Sequence, residues 1–386
     1  MILRAALLAA AISLPVAASA AEPAAAAPFE ANYKPQNGDE RGLWMQFEEV
    51  ERELKNSNFV ITDPKLNAYV KGVLCRAVGA DRCDAARIYL VRSPSFNASM
   101  APNGMMQVWS GLLLRTRNEA QLAAVLAHEF GHFEQRHSLR MFRDIRAKTD
   151  AAAWLGFIPY VGLIAQLGVV GSVFSFSRDM EREADMHGLK HVAAAGYQPK
   201  AFAGIWAQLR NEQDATASER QQKSRKDKNG GFFATHPNTA ERMTYLTQAA
   251  AELKDGKDHV GTAEYRAAMA DWWAPLIDDQ IKLNDFGGTE FLLANLAGSE
   301  WTSELLYARG ELYRARGKAG DFENAAGFYR EAIAKGSALA EAHRGLGLAL
   351  LRTGAGEEGR AAIKEYLQLK PDAGDRAMMA MMAGGE

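Results

Sequence analysis

A run of small and apolar residues, AQLAAVLA at 120–127, leads without a break into His128-Glu-Phe-Gly-His132. No other stretch limits the fold of this chain so strongly. Residues 119–137 read as one helix, with Asn118 placed to cap its first turn. The run before the histidines is apolar on every side, so the helix belongs in a core and not on a surface. A buried helix carrying two imidazoles and a carboxylate is costly unless those groups find partners. The rest of the chain must therefore bring polar partners to the middle of the fold.

His128 and His132 stand at i and i+4, so both imidazoles leave one face of the helix. That spacing lets two nitrogens reach one zinc ion at about 2.0–2.1 Å. Glu129, next to the first histidine, can reach a water held at the metal and take its proton without binding the metal itself. A catalytic zinc also needs a third protein ligand and one position open to water. A motif with a third histidine places it six residues after the second, with glycine midway. Here His137 comes five residues after His132, and Gln135 stands at the glycine position. His137 is therefore read as a capping or supporting residue and not as a ligand.

A better third ligand lies in SRDMEREADMHGLKH, residues 177–191, which reads as a charged helix. Glu181 and Asp185 share one face at i and i+4. One carboxylate can bind the ion while the other accepts a ligand histidine's second N–H and fixes its tautomer. Glu183 points about 160° from that face on an ideal helix and reads as surface. His187 and His191 form a further i,i+4 pair with no flanking carboxylate, read as structural. Farther on, His236 precedes Pro237, and Arg242 follows it by six residues, with a helix starting near Asn238. Both can stabilise negative charge developing on a substrate. Alternatively, His236 can take the open position on the metal and hold the site latent.

The chain has 386 residues, 48% hydrophobic and 24% charged, enough for two or three domains. A net charge of −2 offers no electrostatic case for nucleic acid. Residues 1–20 read as a secretory signal peptide, with Arg4, an apolar stretch and Ala18-Ser19-Ala20 before the cleavage point near Ala20. In an exported chain the two cysteines, Cys75 and Cys83, form a natural disulfide. Residues 86–93 and 105–113 read as two strands of a small sheet, joined by a turn at 97–104. Residues 151–177 are strongly apolar but broken by Pro159, Gln166 and glycines. They read as a buried hairpin or flap that allows membrane-surface contact. Residues 211–231 are polar and charged and read as a mobile loop. The expected division is a domain carrying the zinc site at 21–250, a helical connector at 251–302 and helical repeats at 303–386. In the repeats Gly310, Tyr313, Ala325, Tyr329 and Ala332, then Leu346, Gly347, Gly359 and Pro371, fall at tetratricopeptide-like positions.

HEFGH, then EREAD after an apolar stretch, then THP followed by Arg242, in that order, resembles peptidase family forty-eight of the metallo class. These are gluzincins related to HtpX and to the CAAX-prenyl endopeptidase. The signal peptide and repeat-like C-terminus resemble the periplasmic BepA-type branch. The resemblance covers roughly residues 45–250. It implies a mainly α (α+β) protease domain with a small β-sheet, followed by an α-helical repeat domain. It implies one Zn2+ bound by His128, His132 and Glu181, with Glu129 as base, Asp185 supporting a ligand, and His236 with Arg242 as a transition-state or gating pair. It implies a periplasmic metalloendopeptidase acting on unfolded or misassembled polypeptides, with the edge strand near Met105–Trp109 receiving the substrate. The repeats would face outer-membrane assembly machinery. The alternative is a chaperone or assembly factor acting through the repeats, with latent proteolysis.

Overall fold

The computed structural model describes residues 27–30, 33–148, 176–223, 236, 240–253, 258–336 and 339–384. The signal-peptide reading of residues 1–20 and nearly all of the apolar stretch 151–177 fall outside them. Among the described residues no helix is long and apolar enough to cross a membrane.

Among the described residues the fold is mainly helical, with one three-stranded sheet. Helix α1 (Gly38–Lys55) is capped by Asn37 and buries Leu43, Phe47, Val50 and Leu54 at helical spacing. Helix α2 (Pro64–Val78) starts with the Asp63 side chain accepting from the Leu66 N–H and with proline in its first turn. Gly79, at φ 97°, then turns the chain into the short α3 (Ala80–Cys83), and Cys75 is bridged to Cys83 across that turn. Closing so short a loop is worth about 2–3 kcal/mol.

The sheet holds β1 (Arg87–Val91), β2 (Ala98–Met100) and β3 (Met105–Trp109) in the order β1-β3-β2. β3 runs parallel to β1 and antiparallel to β2. Three expectations are corrected here. Part of the 97–104 turn is strand β2. The second strand stops at Trp109, and residues Ser110–Arg115 form α4. A continuous apolar run that is buried all round has no period to separate strand from helix. And Met105–Trp109 is the central strand, buried along its whole length, so it cannot receive a substrate as an edge.

Helix α5 (Glu119–Glu134) is buried from Glu119 to Phe133 and runs through the middle of the core. It is capped by Asn118, as expected. Helices α2, α7 (Arg178–Ala194) and α8 (Lys200–Glu219) pack around it, together with β2. α8 corrects the loop expected at 211–231, because its first nine residues are helical. They are held by tertiary contacts: Glu212 pairs with Arg115, and the Thr216 hydroxyl donates to Asp285. Residues 224–231 lie outside the described residues.

Helix α9 (Ala240–Glu252) packs on α7 and α8. The connector follows as α10 (Thr262–Met269), α11 (Trp273–Ile281) and α12 (Phe286–Ala297). Its Tyr265, Met269, Leu276, Ile277, Leu292 and Leu293 share one core with α5. Helical hairpins come next: α13 (Ser303–Arg316) on α14 (Asp321–Ala334), then α15 (Ala340–Arg352) on α16 (Gly356–Leu369), with α17 (Arg376–Met382) last. Their glycines are contact points. A Cβ on Gly310 or Gly345 would strike the Tyr329 ring, and one on Gly347 would come within 2.8 Å of the Gly359 carbonyl.

Candidate metal centre

Two glycines set the approach of α5 to α7. A Cβ on Gly131 would lie 3.0 Å from the Ala184 carbonyl oxygen and 3.2 Å from its Cα. A Cβ on Gly188 would lie 3.0 Å from the His128 nitrogen. The two backbones can therefore run close together, and the i,i+4 pair of each helix faces the other. His128 Nε2 and His132 Nε2 lie 3.1 Å apart. Glu181 Oε1 is 3.4 Å from His132 Nε2, and Glu181 Oε2 is 3.6 Å from His128 Nε2. His236 Nδ1 joins them, 2.9 Å from Glu181 Oε1 and 3.4 Å from His128 Nε2. All four residues are 2% exposed or less.

The other nitrogens are already engaged. Asp185 Oδ1 is 2.9 Å from His128 Nδ1 and accepts its proton, which leaves the Nε2 lone pair facing Glu181. His132 Nδ1 lies 2.8 Å from His137 Nδ1, and His137 Nε2 lies 3.1 Å from Glu183 Oε2. One tautomer set satisfies both contacts: His132 Nδ1–H donates to His137, and His137 Nε2–H donates to Glu183. This again leaves the Nε2 of His132 as a bare lone pair. Two neutral imidazoles with lone pairs facing each other at 3.1 Å repel unless a cation sits between them. At bonds of about 2.0–2.1 Å an ion fits that spacing. Glu181 Oε2 is buried and makes no hydrogen bond among the described residues, its charged neighbour being Arg242 Nη1 at 3.1 Å. Imidazole nitrogens with one carboxylate oxygen are a donor set suited to zinc.

Glu129 takes no place in the ligand cluster. It is 1% exposed, and its Oε1 makes no hydrogen bond among the described residues. His236 Nε2 stands 3.8 Å from that oxygen. Burial pushes the Glu129 carboxyl above the usual carboxylate range, despite His236 and His128 nearby. Burial also holds His132 well below the usual imidazole value, toward its neutral form. For Asp185 burial acts upward, but Arg242 and His128 outweigh it and bring the carboxyl down to about 2.

Arg242 lies under the site. Its Nε and Nη2 donate to the two oxygens of Asp185 at 2.7 Å each, and its Nη1 is 3.1 Å from Glu181 Oε2. Its guanidinium carbon is 4.5 Å from the centre of the Trp206 ring. Every edge of the fork thus faces a carboxylate, and Tyr245 donates a further hydrogen bond to Asp185.

Every expected site residue is therefore in one cluster. Three further groups escaped the sequence reading. Glu183 is not a bystander on the surface: it anchors His137 and also accepts from Arg140 at 2.7 Å. The route there is Arg136, at φ 54°, which breaks the helix expected over 119–137 and starts α6 (His137–Lys148) in a new direction. Phe176 stacks on His132 at 4.0 Å, and Tyr245 reaches Asp185 from α9. His187 and His191 do have a carboxylate beside them, that of Glu134.

The sequence pattern of peptidase family M48 matches residues 61–250. Among curated proteins, the beta-barrel assembly-enhancing protease of Escherichia coli (strain K12) is 28% identical over 166 residues, 39% of this chain and 34% of that protein. The mitochondrial metalloendopeptidase OMA1 of Schizosaccharomyces pombe is 32% identical over 188 residues, 47% of this chain and 52% of that protein. The chain thus spans about a third to a half of the length of these relatives.

Proposed function

Residues 61–250 belong to peptidase family M48, and on that premise we propose that this chain is a zinc-dependent endopeptidase of the periplasm. It holds one catalytic zinc ion at this site and hydrolyses peptide bonds in unfolded or misassembled envelope proteins. One observation carries the reading. Two histidines whose outer nitrogens are tied off turn both Nε2 lone pairs to one buried point beside Glu181, with Glu129, whose Oε1 makes no hydrogen bond among the described residues, next to it.

His128, His132 and Glu181 would hold the ion. When bound, zinc polarises the scissile carbonyl and makes the attacking water more acidic. Asp185 and His137 keep the two ligand histidines in the right tautomer. Glu129 accepts the water's proton at a carboxylate oxygen and returns it to the departing amine. Arg242 supports Asp185 and Glu181 from beneath and so positions the ligands. An extended substrate adds along the outer edge of β2, which packs on α5 and is paired on one side among the described residues.

His236 favours a latent form of this enzyme. Its Nδ1 stands inside the ligand set, where an open position is needed. Catalysis then requires the segment around His236 to move aside when substrate arrives. The tetratricopeptide-like hairpins would present substrate or dock on outer-membrane assembly machinery, in keeping with the name of the Escherichia coli relative. Residues 1–20 would direct export.

The test is zinc content and casein cleavage on purified chain, with and without chelator. Glu129→Gln should keep zinc and lose cleavage by at least ~10²-fold, as for a lost general base. His128→Ala should lose cleavage together with the tightly held zinc. A Glu129→Gln chain that cleaves at the wild-type rate overturns the assignment.

A further inference from the structure

One cluster of ligand-type side chains plays no part in the site described above. It lies farther toward the C-terminal ends of the same two helices. Glu134 closes α5, two residues beyond His132. His187 and His191 follow Asp185 on α7, at i and i+4. One oxygen, Glu134 Oε2, is 2.9 Å from His191 Nε2 and 3.7 Å from His187 Nδ1. One ligand atom from each of the three residues lies within 4.8 Å of the other two.

We propose that Glu134, His187 and His191 form a second binding site, separate from the first, for a borderline transition-metal dication such as Zn2+. The donor set points to that class: two imidazoles and one carboxylate suit zinc, copper or nickel, and not magnesium or calcium. An i,i+4 histidine pair brings two nitrogens to one ion, and the carboxylate comes from the facing helix. The rest of the surroundings leave room for the ion. Glu134 Oε1 is occupied by Arg82 Nη1 at 2.9 Å, so Oε2 is the oxygen available. His187 Nδ1 is contacted by Gln135 Nε2 at 3.3 Å, a long contact that an ion would displace. The side chain of His187 is 36% exposed and that of His191 15%, so water can complete the coordination shell. Arg82 lies close enough to oppose the ion's charge. For both reasons this site binds more weakly than the buried one.

Its position gives it a consequence. An ion here ties the end of α5 to the C-terminal half of α7, the two helices whose crossing presents His128, His132, Glu181 and Asp185. It would stabilise that crossing by mass action, as any ligand of the folded state does.

The test is titration of chelator-stripped full-length chain with Zn2+, read by native mass spectrometry and by competition with a chromophoric chelator. Wild type should take up zinc in two steps. The weaker step should vanish in His187→Ala/His191→Ala, leaving the tighter step unchanged. His187→Ala alone, at the most exposed of the three, should weaken it without disturbing the fold. A chain carrying His128→Ala/His132→Ala should keep a step that the His187→Ala/His191→Ala pair removes. That arm separates this proposal from the endopeptidase reading. Uptake by wild type that is unchanged in number and affinity in His187→Ala/His191→Ala overturns the proposal.

Discussion

Arg242→Met removes the guanidinium that faces both buried carboxylates of α7 and leaves an unbranched side chain over Trp206. In the wild type Asp185 accepts both forks of that guanidinium, and Glu181 Oε2 lies 3.1 Å from its third nitrogen. Removing one partner of a buried ion pair costs about 3–5 kcal/mol, since the charge left behind has lost its water and gained nothing. Asp185 gives an independent figure. A carboxyl moved from 3.8 to about 2 is worth roughly 2 kcal/mol at neutral pH. The two agree in order of magnitude. For a chain of this size the larger figure corresponds to a fall in Tm of about 6 °C.

The sign of the pH dependence follows. In the wild type the lowered Asp185 stabilises the fold above the unfolded-state pKa, and that contribution is lost as pH falls through about 2. In Arg242→Met burial dominates, and the folded-state carboxyl rises above its unfolded value. It then destabilises at neutral pH, and acid relieves it. The stability deficit of the variant should therefore shrink as pH drops from 7 toward 5. Bound zinc supplies another cation nearby, so the deficit should be larger in chelator-stripped protein than in zinc-loaded protein. The assay is urea or thermal unfolding of both forms across that pH range, with Arg242→Met/Asp185→Asn completing a double-mutant cycle. An Arg242→Met chain that unfolds like wild type at every pH but turns over slowly would refute the positioning role. It would restore Arg242 as a donor to the substrate.

Three further outcomes follow from the same geometry. Gly131→Val places branched carbon against the Ala184 backbone, where a Cβ alone already comes within 3.0 Å; it should push α7 off α5 and sharply lower zinc retention by atomic absorption, while Gly72→Ala, at an open position, should not. His137→Ala or Glu183→Gln breaks the chain behind His132 and should weaken zinc affinity roughly 10–100-fold in a chelator competition, as for other groups that orient a ligand; unchanged affinity in both would remove the chain from the site. His236→Ala should raise basal casein cleavage if the imidazole holds the fourth position and lower it if it serves the oxyanion; no change in either cleavage or zinc affinity would leave it a helix-start residue.

How much of this could be read from sequence depended on how far local periodicity reaches. His128 with His132, and Glu181 with Asp185, could be assigned as facing pairs because 3.6 residues per turn fixes which side chains share a face. No fold was needed to know that two such pairs complete one another. Glu183 shows where that logic stops. Helical spacing aims it away from the cluster of His128, His132 and Glu181, but distance from that cluster is not distance from the site. It reaches His132 through His137, and His137 is there because Arg136 adopts a left-handed turn that a non-glycine residue seldom takes. Nothing local in the sequence marks that turn. The polar segment 211–219 failed for a related reason. Its composition suits a loop, yet Glu212 is fastened to Arg115, and a Cβ on Gly287 would lie 2.4 Å from the Ala215 carbonyl. A helix held from outside needs no apolar stripe of its own. β2 was hidden by its length, since three residues carry no alternation to detect. In each case the missing information sits on another element. The residues proposed to hold the ion, and Asp185 behind them, could be named from their own helices, whereas His137, Glu183 and Tyr245 could be placed only once the helices were packed.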